Sequence, residues 1–297
     1  MRSKAAGLSD RVPAWTLALI AMLSVQLGSA LSLRLFETVG PGGTAWLRLT
    51  AGALIFVAMR RPRLRGLDRS DIGTVLALGV ATGLVTVTFL SAIDRIPLGT
   101  AVAVEFLGPL SVAVFRSADR RLLVWPALAL TGVVLLTEPW LGSTDPVGLA
   151  LAALSACGWA TYIVLTQRVG DRFAGLQGLS ITIPVAALTA AVIGIPQAAG
   201  HLTWSVLLEA TGLALLLPVL PFSLELLALR RLTTAAFGTL MALEPALGLI
   251  IGFALLSQVP DTLQVIGVIL VVAAGIGAER GGHRPEAAPG APPPLID

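Results

Sequence analysis

The sequence predicts an all-α integral membrane protein with ten transmembrane helices, arranged as two inverted five-helix repeats. Three observations predict it. The 297 residues are 56% hydrophobic and only 12% charged, whereas a soluble domain carries about 25% charged residues; the mean hydropathy is +0.88. The apolar residues fall into ten segments, each close to the roughly 20 residues a spanning helix needs. A self-similarity at one fixed offset relates the two halves of the apolar region.

The segments run 14–33, 43–59, 73–93, 97–115, 122–137, 147–167, 178–198, 206–229, 235–256 and 262–278. The basic start Met1-Arg2-Ser3-Lys4 before an apolar run resembles a signal peptide. The run is long enough to span and nine more follow, so it reads as a retained first helix. Pro41-Gly42-Gly43 precedes the second segment, Pro97 opens the fourth and Pro260 precedes the tenth, each a local punctuation mark. The segment at 122–137 is the shortest. Residues 14–137 form the first repeat and 147–278 the second. The tail 281–297 is rich in Pro, Ala and Gly and reads as a disordered cytoplasmic extension.

Orientation follows from the basic residues, which concentrate in cytoplasmic loops. With the N-terminus inside, the inner side receives Arg2, Lys4, Arg11, Arg60, Arg61, Arg63, Arg65, Arg69, Arg116, Arg120, Arg121, Arg168, Arg172, Arg230, Arg231, Arg280 and Arg284. The outer side receives only Arg34 and Arg95, and Arg48 lies within a span. Both termini are therefore expected in the cytoplasm. Trp15, Trp46, Trp125, Trp140 and Trp204 sit near segment ends, as an aromatic belt requires; Trp159 lies midway along segment six.

The repeat is visible at an offset of 136 residues, where FLSAIDRIPL (89–98) lies over ELLALRRLTT (225–234) and GTAVAVEFLGPL (99–110) over AAFGTLMALEPA (235–246). Pro109 falls on Pro245. Five helices per half is an odd number, so the halves must be inverted in the membrane. Inverted repeats with a site at their interface near the midplane are a recurring transporter plan.

Four ionisable residues, Arg48, Glu105, Glu225 and Glu244, lie inside apolar segments. Each costs roughly 2.5–3.5 kcal/mol at a helix centre on translocon scales, and such residues usually face a cavity or a partner. They point to a small polar or charged solute moved across the bilayer. Glu105 lies about 12 Å into segment four at 1.5 Å per residue. Pro109, at i+4, kinks that helix and frees the carbonyl of residue 105. A poorly solvated carboxyl there is a candidate for loading and releasing protons. Glu244 lies about 14 Å into segment nine, beside the equivalent kink at Pro245. The alternative for both is a structural hydrogen bond to a neighbouring helix. The two prolines are symmetry mates, but Glu105 falls on Met241 and Glu244 on Gly108, so binding is expected to be asymmetric.

Glu225, near the inner surface, reads equally as a gate, a structural pair with an arginine or a substrate contact. Arg48 has two readings: a bidentate clamp on a substrate carboxylate, or neutralisation of one glutamate. Segment six places Ser155, Trp159, Tyr162 and Thr166 on one helical face, read as cavity lining. Ser24 and Gln26 in segment one are candidates for the same cavity, with interhelical bonding as the alternative. Gly79-x-x-x-Gly83 and Gly248-x-x-x-Gly252 read as close helix contacts.

Other classes find little support. Cys157 is the only cysteine, and the two histidines, His201 and His283, fall in a loop and in the tail. No metal-ligand spacing exists, and no cofactor is expected. The net charge of +3 is a matter of membrane topology, not a nucleic-acid footprint. An intramembrane enzyme would need a nucleophile–base pair or a metal cluster within the spans, so none is expected.

The chain resembles the drug/metabolite transporter superfamily, whose members carry two EamA-type repeats, and within it most resembles the bacterial threonine/homoserine exporters. The resemblance rests on AMLSVQLGSALSLRLF (21–36), RIPLGTAVAVEFLGPLSVAVF (95–115), CGWATYIVLTQRVG (157–170) and, most specifically, LPFSLELLALRRLTTAAFGTLMALEPALG (220–248). It implies a secondary active transporter, an antiporter of the bacterial inner membrane that exports small amino acids or related metabolites against protons; a homodimer is compatible with it. Uptake, or efflux of drugs or nucleobase-like solutes, is the alternative within the superfamily; a channel-like assembly without alternating access is a further one. Gln26, Arg48, Glu105, Trp159, Tyr162, Glu225 and Glu244 fall inside or beside these stretches and carry over as cavity candidates; of them Gln26, Arg48, Glu105, Trp159, Tyr162 and Glu244 are the candidate substrate contacts. Glu105, Glu225 and Glu244 are the candidate proton-coupling or gating groups.

Overall fold

The computed structural model describes residues 13–59, 69–115, 123–138, 140–141, 144–169, 176–229, 232, 237 and 240–281. Most of the arginines that set the expected orientation, and the tail beyond 281, lie outside the described residues. The described elements are all helical: α1 (Ala14–Met59), α2 (Arg69–Ile93), α3 (Leu98–Glu105), α4 (Leu107–Phe115), α5 (Val124–Thr137), α6 (Pro146–Val169), α7 (Leu176–Ala198), α8 (Trp204–Ala214), α9 (Leu220–Leu229), α10 (Glu244–Leu256) and α11 (Thr262–Gly281).

The first correction to the sequence reading concerns residues 34–42, expected as a loop. They are helical, and α1 runs on through the second segment with one break at Gly40, where φ is 69° and ψ is 167°. A side chain would be strained there, and glycine is not. Pro41 then opens the second limb, where its missing N–H costs nothing. The next two donors, the N–H groups of Gly42 and Gly43, are taken by Gln197 Oε1 of α7 at 2.8 and 3.1 Å, satisfying groups that a helix start otherwise leaves orphaned. The limbs fold back on each other. Arg48 Nη1 donates to Ser32 Oγ at 3.2 Å across a separation of 16 residues, which on a straight helix would be about 24 Å.

Segment four also divides. α3 ends at Glu105 and α4 begins at Leu107, because Pro109 cannot donate to the carbonyl of Glu105. In segment nine the described helix starts at Glu244, after a turn at Ala242–Leu243, with Pro245 in its first turn. Glu244 therefore stands at a helix start and not in mid-helix. Phe106 and Ala242, where the two breaks lie, are each three residues before a proline and 136 residues apart.

Segment eight, expected as one helix, is interrupted. Between α8 and α9 lies a wide turn, Leu215–Val219, with Leu217 in an extended conformation (φ −160°, ψ 112°). Pro218 and Pro221 remove two donors from this stretch. Ser24 Oγ of α1 donates to the carbonyl of Leu216 at 2.6 Å, the kind of repair that non-helical backbone needs at membrane depth. The interhelical alternative for Ser24 is thus the one the structure adopts.

Small residues let the helices approach. A Cβ on Gly79 would lie 2.5 Å from Val185 Cβ and 2.8 Å from the carbonyl of Thr182; one on Gly83 would lie 2.7 Å from the carbonyl of Ala186. The α2–α7 contact depends on these two positions. Likewise Gly248 and Gly252 of α10 seat against Val102 and Leu98 of α3. Gly83→Val should overpack the α2–α7 contact at about 1–3 kcal/mol and lower the thermal unfolding midpoint in detergent. An unchanged midpoint would show that the helices part without cost.

Leu54, Leu188, Val192, Phe253 and Ile269 are all exposed, an apolar surface suited to lipid and not to water. Among the tryptophans of the expected belt, Trp15, Trp140 and Trp204 are exposed. Trp46 and Trp125 are only partly so, since each packs over a glycine, Gly194 and Gly277 respectively. At the connecting loops, Arg95 forms an exposed ion pair with Asp145 (2.9 Å), and Asp145 Oδ1 accepts from the N–H of Val147 at the start of α6 (2.8 Å). The Arg95 hydrogen bond first, then the Val147 N–H, holds the Asp145 carboxyl below the usual range. At the ends of α5 and α11, a hydrogen bond shared with Asp261 pushes Glu138 up.

Candidate functional site

The carboxyl groups converge. Glu105, at the end of α3, is buried, and Ser155 of α6 donates its hydroxyl to Glu105 Oε1; the same hydroxyl reaches the carbonyl of Val85 on α2 at 3.3 Å. Glu244, opening α10, is buried and has no hydrogen bond among the described residues. It lies within electrostatic reach of Glu225 on α9 and, more weakly, of Glu105. Glu225 is half-buried and also acts on Tyr162 of α6. Helices from both halves of the chain thus surround one group of three carboxyl groups. In a poorly solvated region three like charges repel strongly, so the group favours protons or a cation.

Gln26 of α1 borders the group. Its side chain is 1% exposed, and a Cβ on Gly248, one turn past Glu244, would lie 3.5 Å from Gln26 Oε1. That oxygen has no hydrogen-bond partner among the described residues. Trp159, a turn beyond Ser155, is half-buried. Tyr162 is half-buried too and packs against the Val75 and Leu78 pair of α2, so part of its expected cavity-lining surface goes to helix packing.

Arg48 stands apart from the carboxyl groups. It is 3% exposed, it donates to the neutral hydroxyl of Ser32, and among the described residues its Nε has no partner. Ser32 in turn donates to the carbonyl of Gly28 at 2.6 Å. Among the described residues no carboxylate lies within ion-pair distance of Arg48; the one ion pair among them joins Arg95 and Asp145. A buried charge without a counter-charge costs several kcal/mol. One turn before Ser32, the hydroxyl of Ser29, fully buried, also lacks a partner among the described residues. Ser29 and Ser32 did not emerge from the sequence. The hint for Ser32 was there: it and Arg48 are each eight residues from Gly40, so a hairpin turning at that glycine sets them side by side.

A bundle of membrane-spanning helices with buried carboxyl groups and a buried guanidinium is the build of a solute transporter, and the comparisons agree. Residues 146–277 match the EamA-like transporter family. The chain is 37% identical over 283 residues to the threonine/homoserine exporter RhtA of Salmonella typhimurium strain LT2, covering 92% of this chain and 94% of that protein. Against RhtA of Escherichia coli K12 it is 37% identical over 281 residues, with the same coverage. A solved crystal structure, 21% identical, superposes with a TM-score of 0.60 over 89% of this chain and 98% of its own, which shows a shared fold. The chain belongs to the EamA-like transporter family. It is a multi-pass membrane transporter and not an enzyme.

Proposed function

We propose that this protein exports small amino acids of the threonine and homoserine kind from the cytoplasm, in exchange for protons, by alternating access between two inverted five-helix halves. Arg48 carries the reading: a buried guanidinium, unpaired among the described residues, suits a substrate carboxylate that arrives as its counter-charge. The carboxyl group formed by Glu105, Glu225 and Glu244 suits the substrate ammonium and the proton, which compete for it. Gln26, Trp159 and Tyr162 border the space between. The relatives' activity as threonine/homoserine exporters supports the cargo.

Counterflow in proteoliposomes tests the proposal. Vesicles loaded with unlabelled homoserine or threonine should take up the labelled amino acid transiently, with saturation, and an imposed proton gradient should drive accumulation. Flux confined to a drug or nucleobase-like solute would replace the cargo, and non-saturable flux would replace the mechanism.

The orientation has its own test. Tags at Met1 and after Gly281 should both be cytoplasmic, and cysteines placed at 142–145 should label from outside. External labelling at 62–68 in intact cells would overturn the inverted arrangement.

A further inference from the structure

A cleft of about 250 Å³ opens between α1 and α10, lined by Ala30, Leu33, Arg34, Glu37, Leu255 and Leu256. We infer that this cleft is a second binding site for a zwitterionic amino acid, a vestibule through which the exported solute leaves. The inference rests on the function proposed above and adds a place to it.

Position is the first argument. At 100° per residue, Gln26, Ala30, Leu33 and Glu37 share one face of α1. On α10, Glu244, Gly248 and Leu255 share another. The two faces meet where Gly248 abuts Gln26 Oε1. The cleft therefore continues the seam that starts at the carboxyl group. The rise from Gln26 to Glu37 is about 16 Å, about half the hydrocarbon core, so the seam runs from mid-membrane to the expected outer surface. The buried Gln26 Oε1, without a partner among the described residues, lies along it as an acceptor for an ammonium in transit.

Chemistry is the second. Arg34 and Glu37 are exposed and three residues apart on the helix. Among the described residues neither takes part in an ion pair. One offers a guanidinium to a carboxylate, the other a carboxylate to an ammonium, over an apolar floor of leucines. The volume is below the roughly 300–1,000 Å³ typical of sites for drug-sized ligands, which fits a small metabolite. A phosphatidylethanolamine headgroup offers the same pair of charges, so the test separates the two sources.

The experiment uses the full chain in vesicles of phosphatidylcholine and phosphatidylglycerol, free of ethanolamine lipid, with sidedness scored by thiol labelling. Homoserine half-saturation is measured from each side for wild type, Arg34→Gln and Glu37→Gln. In a Cys157→Ser background, Leu255→Cys is labelled with an impermeant maleimide with and without homoserine, in these vesicles and in a parallel set that contains phosphatidylethanolamine. Each charge variant should raise the outer half-saturation constant about two- to fivefold, the range of an exposed charge contact, and leave the inner one unchanged. Homoserine should slow labelling of Leu255→Cys. Unchanged outer constants in both variants, labelling indifferent to homoserine, or protection that appears only with ethanolamine lipid would each overturn the vestibule while homoserine exchange persists. Absence of homoserine exchange in wild type would instead overturn the proposed cargo and the assignment of this site with it.

Discussion

Glu105→Gln is expected to reach the membrane folded and to lose proton-gradient-driven accumulation. The substitution keeps the size of the side chain and keeps an oxygen for the Ser155 hydroxyl, which donates to Glu105 in the native protein. It removes only the ability to take up and release a proton. Solute exchange without a gradient should survive, because exchange needs no net proton movement. Unchanged pH-dependent accumulation would remove Glu105 from the coupling step. Loss of folded protein would identify it as a structural group whose bond to Ser155 holds α3 against α6. Glu244→Gln is the companion: Glu244 has no hydrogen bond among the described residues, so its replacement should disturb packing less. If it alone uncouples transport, the proton site belongs to α10.

Arg48→Lys should raise the apparent Michaelis constant for homoserine by about ten- to a hundredfold, the loss expected when a hydrogen bond to a charged group worth roughly 1.5–3 kcal/mol is removed. Lysine keeps the charge but cannot make a planar two-point contact. Its ammonium can still reach Ser32, so the fold should persist. Near-normal kinetics in Arg48→Lys would show that only the charge matters and would return Arg48 to a balancing role. The structure argues against that outcome, since no described carboxylate pairs with Arg48. Ser32→Ala should have a milder effect in the same direction, because it loosens the guanidinium without removing it.

Much of this was legible in the sequence because bilayers impose simple rules. Length and hydropathy mark the spans, and a charge in an apolar run has few places to go. Hence Glu105, Glu225, Glu244 and Arg48 stand out in the sequence, as does the kink before Pro109. What was hidden depends on neighbours far along the chain. Residues 34–42 look like a loop because Pro41 and Gly42 usually end helices; Gln197, 155 residues away from Gly42, accepts from the free N–H groups of Gly42 and Gly43 and lets helix continue on both sides of Gly40. The interruption at Leu217 was hidden for the opposite reason. Segment eight is uniformly apolar, so hydropathy does not register a break, and Pro218 and Pro221 were the signal left unread. The pairing of Arg48 with Ser32 needed the hairpin first.

The interruption in segment eight bears on how force passes through the protein. Where Leu217 leaves the helical path, α8 and α9 stop sharing a continuous hydrogen-bonded spine, and a twist applied to one is not passed rigidly to the other. α9, ten residues long, becomes a short lever carrying Glu225, hung from a swivel. One handle on that swivel is Ser24, two residues from Gln26; its hydroxyl donates to the carbonyl of Leu216. A shift of the lever therefore bears on α1 by two routes, through Ser24 and through the packing of Ala228 against Leu17 and Ala18, and not only along the backbone of α8.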